Sequence, residues 1–584
     1  MEKLNSRLTT QPRSPVTSIA DFFGGHAFYR HTLFFLLSLL VIGITGYYFG
    51  TFDQSIHIPF LKKEVNPALF PNDPFFELRK THYSYFWFLF RPFLQLGFLE
   101  VSLFVVHVFS TYLTFWALWR LSKTLFGSNT VAFLVVIAFS FPHLGFAAFP
   151  VFEFSLLNRT FALPFLLFGV DWYLQRKYVR SFLLLGLVNN LHALSVNFVM
   201  LMIGVDLLFR VWQERWQTRQ KGQIAVGFFV FFLASLPVLL WKFGKSPLDF
   251  TLRPEWFSIL SHSLMYTVFY PLSTFPTVLL LTTCGVSAFL LYFVMTKYQK
   301  LSVHAPVITH FMYAAIFLVG LEVIVSEWLP VTFLVQFQII RISILSFIFC
   351  YVFFVASLVK KFQEGEISRN QFHMQFLSLF LSVTAIVPLL VAFLMRILPK
   401  RDRIIAGYAT IATSFVVFAV LAWQMNVWRP GVHVFPQKTD WYDVQVWARD
   451  TTPTDAMFMT PPEKWWLFEP DWRVYSERST LVTLSEVLEF AFTPEYTDSW
   501  KKRFDILAPG AREQFGEDLL ESIRLTRDAY DRIPEENLRE VAAKYRVSYI
   551  VVAKPRTLGL SLVYQNASFS VYKLQTLYAR LQAQ

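Results

Sequence analysis

FDQSIHIPFLKKEVNPALFPNDPFF, residues 52–76, is the stretch from which the fold is read. It follows the first membrane-length apolar run directly. It carries Asp53, His57, Glu64 and Asp73, and Pro59, Pro67, Pro71 and Pro74 stop it from forming one helix. Polar, acidic, Pro-rich sequence cannot lie against lipid, because its backbone groups would have no partners there. It is therefore a loop at a membrane face. An acid a few residues past a transmembrane helix is held at fixed depth, near the lipid headgroups, which suits a catalytic carboxylate. The plainer alternative is a solvated connector whose acids only keep it soluble.

Composition sets the class. The chain has 584 residues, 55% of them hydrophobic and 18% aromatic, with mean hydropathy +0.44. Repeated apolar runs of about 20 residues mark a polytopic helical membrane protein. The net charge of +12 fits cytoplasmic loops and anionic lipid, and gives no reason to expect a nucleic-acid partner. Cys284 and Cys350 lie in apolar runs, so there is no disulfide framework. The polar segment 1–31, with Lys3, Arg7, Arg13 and Arg30, is placed in the cytoplasm, and the run after it reads as a retained helix.

Working outward, 32–425 reads as a transmembrane domain of twelve or thirteen crossings with an outer loop at 50–98. Helices are expected near 32–49, 99–119, 130–149 and 161–174. The run 181–212 is too long for one crossing and short for two, with basic residues on both flanks. Its polar break, Asn189 to Ser195 (NNLHALS), predicts two short helices turning near the outer face. Further crossings are expected at 224–241, 272–295, 307–325, 333–359 and 404–424. The run 376–398, interrupted by Pro388, reads either as a tight hairpin or as one crossing, and the choice sets the side of everything after it. From 426 to 584 charges are spread throughout and no membrane-length run occurs, so a soluble α/β or α+β domain is expected. Its strands are placed at 456–460, 548–553 and 569–574, and its helices at 513–526 and 535–545.

No CxxC, HExxH, phosphate-binding loop, GxGxxG or GxSxG occurs, which leaves a nucleotide enzyme without support. What remains is a set of polar residues at outer or intramembrane positions. Asp53 and His57 are four apart; if the loop begins with a helical turn they share a face, which suits a carboxylate–imidazole pair or two ligands of a divalent metal. Glu153 lies six residues before Arg159. His192 sits at the break between the two short helices. Arg341 lies about eight residues into an apolar helix, where ionisable groups usually face a cavity. The structural alternatives are capping for His57, packing for His192, a surface ion pair for Glu153–Arg159 and snorkelling for Arg341.

These features, in this order, resemble the GT-C type of membrane glycosyltransferase. The resemblance rests on the acid just past the first helix (FDQSIHIP, 52–59), the second outer loop (Phe152-Glu153 to Asn158-Arg-Thr160), the broken helix pair around Asn190-Leu-His192, and a soluble C-terminal domain ending in VYQNASFSVY (563–572). Stretches such as NPALFPNDPF (66–75) are similar to a poorly characterised bacterial branch of that superfamily. The resemblance implies Asp53 as catalytic base, with His57, Glu153, Arg159, His192 and Arg341 binding substrate. It implies a polyprenyl-phosphate sugar donor, an envelope glycan, lipid or protein as acceptor, and a place in a bacterial inner membrane with the C-terminal domain outside. A divalent metal, Mg or Mn, would take Asp53 and Glu153 as ligands, although no Asp-x-Asp or Glu-x-Asp pair follows the first helix. No Trp-Trp-Asp-type motif occurs, which argues against an oligosaccharyltransferase. The competing readings are a transporter or flippase for lipid-linked sugars and a non-catalytic envelope scaffold of the same fold.

Overall fold

The structure, a computed structural model, describes residues 15–143, 150–213, 218–245, 248–263, 292, 301–380, 386–424, 426, 428–464, 468–516 and 518–574. Almost all of the expected crossing at 272–295, including Cys284, and residues 1–14 of segment 1–31 lie outside the described residues. The protein is mainly helical with a small C-terminal sheet region. Among the described residues, seven helices are long and apolar enough to cross a membrane. The larger number of crossings expected from sequence included shorter apolar helices, such as Asn129–Ala138, and runs outside the described residues.

The first membrane helix is Ala27–Thr45, preceded by a separate helix, Pro15–Gly25, so part of segment 1–31 is helical and the membrane helix starts earlier than residue 32. After it, the loop folds instead of remaining a connector. Gln54–Val65 is a helix that accommodates Pro59 in its second turn, and Asp73 and Pro74 start the 3-10 helix Pro74–Thr81, with the Asp73 carboxylate accepting from Phe75 N–H. The stretch is thus not one helix, as its prolines imply, although Pro59 itself lies inside Gln54–Val65.

Tyr178–Trp212 is two helices across a break at His192 (φ −153°, ψ 82°). A straight helix would separate Tyr178 from Arg210 by about 48 Å at 1.5 Å per residue. Instead the Arg210 guanidinium donates to the Tyr178 hydroxyl at 3.0 Å, and Tyr173 donates to Asp206 at 2.6 Å. The chain folds back on itself at the NNLHALS break, as expected from sequence. The turn meets the first loop, since Tyr85 N–H donates to Asn190 C=O at 2.9 Å and the Ser84 hydroxyl to Leu191 C=O at 2.6 Å.

The run 376–398 is divided. Its C-terminal part, Ile386–Ile397, has 12 residues, about 18 Å, too short to cross a bilayer alone. Met374, Val387, Val391, Met395 and Ile411 form one apolar cluster joining it to Arg369–Leu377 and to Lys400–Gln424.

The C-terminal region holds most of the β-structure. Strands β1 (Tyr47–Tyr48) and β2 (Val432–His433) pair in parallel and bring the end of the first membrane helix beside the start of this region. Strands β3 (Met457–Met459), β4 (Ser479–Thr480), β5 (Tyr549–Ala553), β6 (Ser561–Gln565) and β7 (Phe569–Lys573) form a mixed sheet in the order β4-β3-β5-β7-β6. The β3–β4 and β3–β5 pairs are parallel, and the β5–β7 and β7–β6 pairs are antiparallel. Helix Glu535–Tyr545 has the expected bounds and Leu519–Arg532 lies six residues later than expected, whereas β4 and β6 fall outside the three strands placed from sequence.

This sheet region is bound to the first loop. Lys62 reaches Val474 C=O and Glu477, and Asp471 N–H donates to the Ser55 hydroxyl. Arg473, fully buried, contacts Asp73, Asp471 and Glu486. Burial opposes its charge, but Asp73 and Glu486 more than offset this and hold its pKa well above the ordinary value. Two segments in direct contact lie on one side of a bilayer. If both segments lie outside the bilayer, their contact requires an even number of crossings between residue 50 and the C-terminal region; of the seven candidate membrane helices, all but Ala27–Thr45 lie in that interval.

Candidate functional site

Asp53 immediately precedes helix Gln54–Val65, and its position is fixed by unusual backbone on its N-terminal side. Phe52 has φ +51°, uncommon for a bulky residue, and its ring packs on Phe154 of the second loop. Gly50 has φ +79°, and a Cβ there would meet the Tyr475 hydroxyl at 2.6 Å. Gln54 ties the two loops together: its amide accepts from Gly50 N–H at 2.9 Å and donates to Leu156 C=O at 3.0 Å.

Across this joint stands Arg159, the second residue of helix Asn158–Leu174. Its Nη1 donates to Asp53 Oδ2 at 2.6 Å and its Nε donates to Glu153 Oε1 at 2.6 Å. One guanidinium thus holds a carboxylate from each of two loops, in short charge-assisted bonds. The Mg or Mn site expected on Asp53 and Glu153 does not fit this arrangement. A cation already bridges the two acids, and a second between them would be repelled.

Arg341 approaches from another direction. It does not lie inside a continuous helix, as the sequence implied. Thr332–Phe337 ends at Gln338, which has φ +46°, and Arg341 sits in the 3-10 turn Ile339–Ile342 before helix Ser343–Gln363 begins. Irregular backbone at membrane depth is tolerated where it lines a cavity. Here Arg341 lines a cavity together with Glu153, Arg159, His192 and Ser195, while Leu163 and Phe198 are among the residues of its apolar wall. Snorkelling away from the bundle is therefore not its role. Two acids and two guanidiniums meet at this place, so their formal charges balance. At the helix break, Ser195 N–H points at His192 Nδ1 at 3.4 Å. This leaves the proton of a neutral ring on Nε2.

His57 stands apart. Its ring lies against His82 and Trp87, with centroids 4.6 and 5.0 Å away, and no bond to the Asp53 carboxylate forms. The expected carboxylate–imidazole pair is thus replaced by the Asp53–Arg159 pair, because His57 turns inward from the helix. Burial, and then the positive charge of neighbouring His82 and Arg159, holds the His57 pKa well below the ordinary value. Asp53, Glu153, Arg159, His192 and Arg341 come together, and His57 does not join them. Sequence reasoning missed His82 and Glu489, which lie beside His57. They are 407 residues apart, so no local spacing connects them.

Residues 439–507 match the family described as Domain of unknown function (DUF6798). The matched part includes Arg473, Glu486 and Glu489, the residues with which the C-terminal region grips the first loop. No curated protein matches the chain.

Proposed function

We propose that the protein is an integral-membrane glycosyltransferase that moves a sugar from a polyprenyl-phosphate donor to an envelope acceptor on the extracytoplasmic side. The observation that supports this reading is the Asp53–Arg159–Glu153 bridge, whose Arg159 and Glu153 line a cavity with Arg341, His192 and apolar walls. A lipid phosphate entering there meets two guanidiniums, which suit its charge and its planar pairs of oxygens. The phosphate competes with Asp53 for Arg159 and so releases the Asp53 carboxylate. Asp53 then accepts the proton of the acceptor hydroxyl. The hydroxyl oxygen bonds to the anomeric carbon while the bond from that carbon to the phosphate oxygen breaks. Polyprenyl phosphate leaves with the electron pair, its charge met by Arg159 and Arg341. His192 Nε2–H is placed to donate to a phosphate or sugar oxygen. Turnover of polyprenyl-phosphate sugars by the purified full chain tests this reading, and binding of the donor without transfer would favour the transporter or scaffold alternatives.

A further inference from the structure

Outside the cavity, three metal-ligating side chains from three elements converge. His57 comes from helix Gln54–Val65, His82 caps the 3-10 helix Pro74–Thr81, and Glu489 belongs to the short helix Val487–Phe490 of the C-terminal region. Each offers one ligand atom, and these atoms lie within 4.8 Å of one another. His57 is 5% exposed and Glu489 is 5% exposed. His57 Nδ1 is buried and has no hydrogen-bond partner among the described residues, while His82 Nδ1 meets Glu489 Oε2. Leaving such a group unpaired costs on the order of 1–3 kcal/mol, and its place beside the His82–Glu489 pair calls for a ligand.

We propose that His57, His82 and Glu489 bind one divalent transition-metal ion of the zinc class, which clips the C-terminal region to the first loop. Two imidazoles and one carboxylate suit zinc and its neighbours rather than magnesium, which takes oxygen ligands. The His82 Nδ1 to Glu489 Oε2 separation is 3.2 Å. This matches the edge of a tetrahedron whose metal–ligand bonds are about 2.0 Å, roughly 3.3 Å. The His57 ligand atom, within 4.8 Å of the other two, completes the set by moving inward. The guanidiniums that act on His57 are both engaged elsewhere, Arg159 by Asp53 and Glu153 at 2.6 Å and Arg79 by Glu64 at 2.7 Å. This ion is distinct from the Mg or Mn expected on Asp53 and Glu153, and its presence does not depend on glycosyl transfer.

The test uses the full chain, purified without a histidine tag, stripped with a chelator and titrated with Zn2+ against a chromophoric competitor. Co2+ serves as a spectroscopic probe. The expected result is one equivalent bound, a tetrahedral Co2+ absorption band, and a higher unfolding temperature with saturating Zn2+. His82→Gln and Glu489→Gln, each with an unchanged elution profile, should weaken Zn2+ binding by about 100-fold or more and abolish the thermal shift. His57→Gln serves as a third variant where either of these fails to fold. A wild-type chain that binds no Zn2+ overturns the proposal. So does a site that survives unchanged in folded variants.

Discussion

Arg473 Nε lies 2.7 Å from Asp73 Oδ2, with both side chains fully buried, although 400 residues separate them. The same guanidinium contacts Glu486 at 2.8 Å and Asp471 at 3.5 Å, and Tyr496 donates to the other oxygen of Glu486. Removing one partner from a buried network leaves an uncompensated charge, which costs about 3–5 kcal/mol. Arg473→Leu should therefore lower the unfolding temperature sharply and expose the first loop to protease. An unchanged protease pattern would show that the contact does not hold the loop.

The same contact fixes relative topology. Asn72 and Ala567 are both exposed, one in the first loop and one in the C-terminal region. Single cysteines at these positions should be labelled together or protected together by an impermeant reagent in intact cells. Labelling of one alone would break the topology argued above.

Much of this was legible in the sequence. The NNLHALS break located the fold-back at His192 because a polar, helix-interrupting cluster inside an apolar run has no other use. Asp53, Glu153 and Arg159 were legible as candidates because each lies just beyond an apolar run. Their mutual bonding was not, since it depends on how two loops dock. Arg341 reads as helical in the sequence because no Pro or Gly marks the break at Gln338. The partners Arg473–Asp73 and His57–His82–Glu489 were not legible because burial pairs residues hundreds of positions apart, which one sequence does not record.

Glu463 gives a pH prediction in the C-terminal region. Burial raises its pKa to about 7, and one carboxylate oxygen has no partner among the described residues. Between its ordinary value and pH 7 the folded state holds a proton that the unfolded state has released, so stability falls as pH rises through this range. Glu463→Gln should remove that decline, a difference of about 3 kcal/mol at most above pH 7. It is read from unfolding temperatures at pH 5 and pH 8. A parallel fall in both proteins would assign the pH dependence elsewhere.

Arg159 is asked to bridge two carboxylates and then a phosphate, for which the planar fork of a guanidinium is needed. Arg159→Lys keeps the charge and loses the fork. Donor binding should weaken by about 10-fold or more, the range for loss of a charge-assisted hydrogen bond. Arg341→Leu should weaken binding as well while leaving the protein folded, since Leu is at home beside lipid. Wild-type donor affinity in both variants would remove the phosphate from this cavity.

The central claim is that Asp53 is the base. Asp53→Asn keeps the shape of the side chain and its reach to Arg159 but cannot take a proton at neutral pH. The decisive measurement is transfer from a polyprenyl-phosphate sugar by purified wild-type and Asp53→Asn protein, with donor binding measured alongside. The expected result is donor binding retained and turnover reduced by about 10²-fold or more, as for loss of a general base. Transfer at the wild-type rate by Asp53→Asn would contradict it.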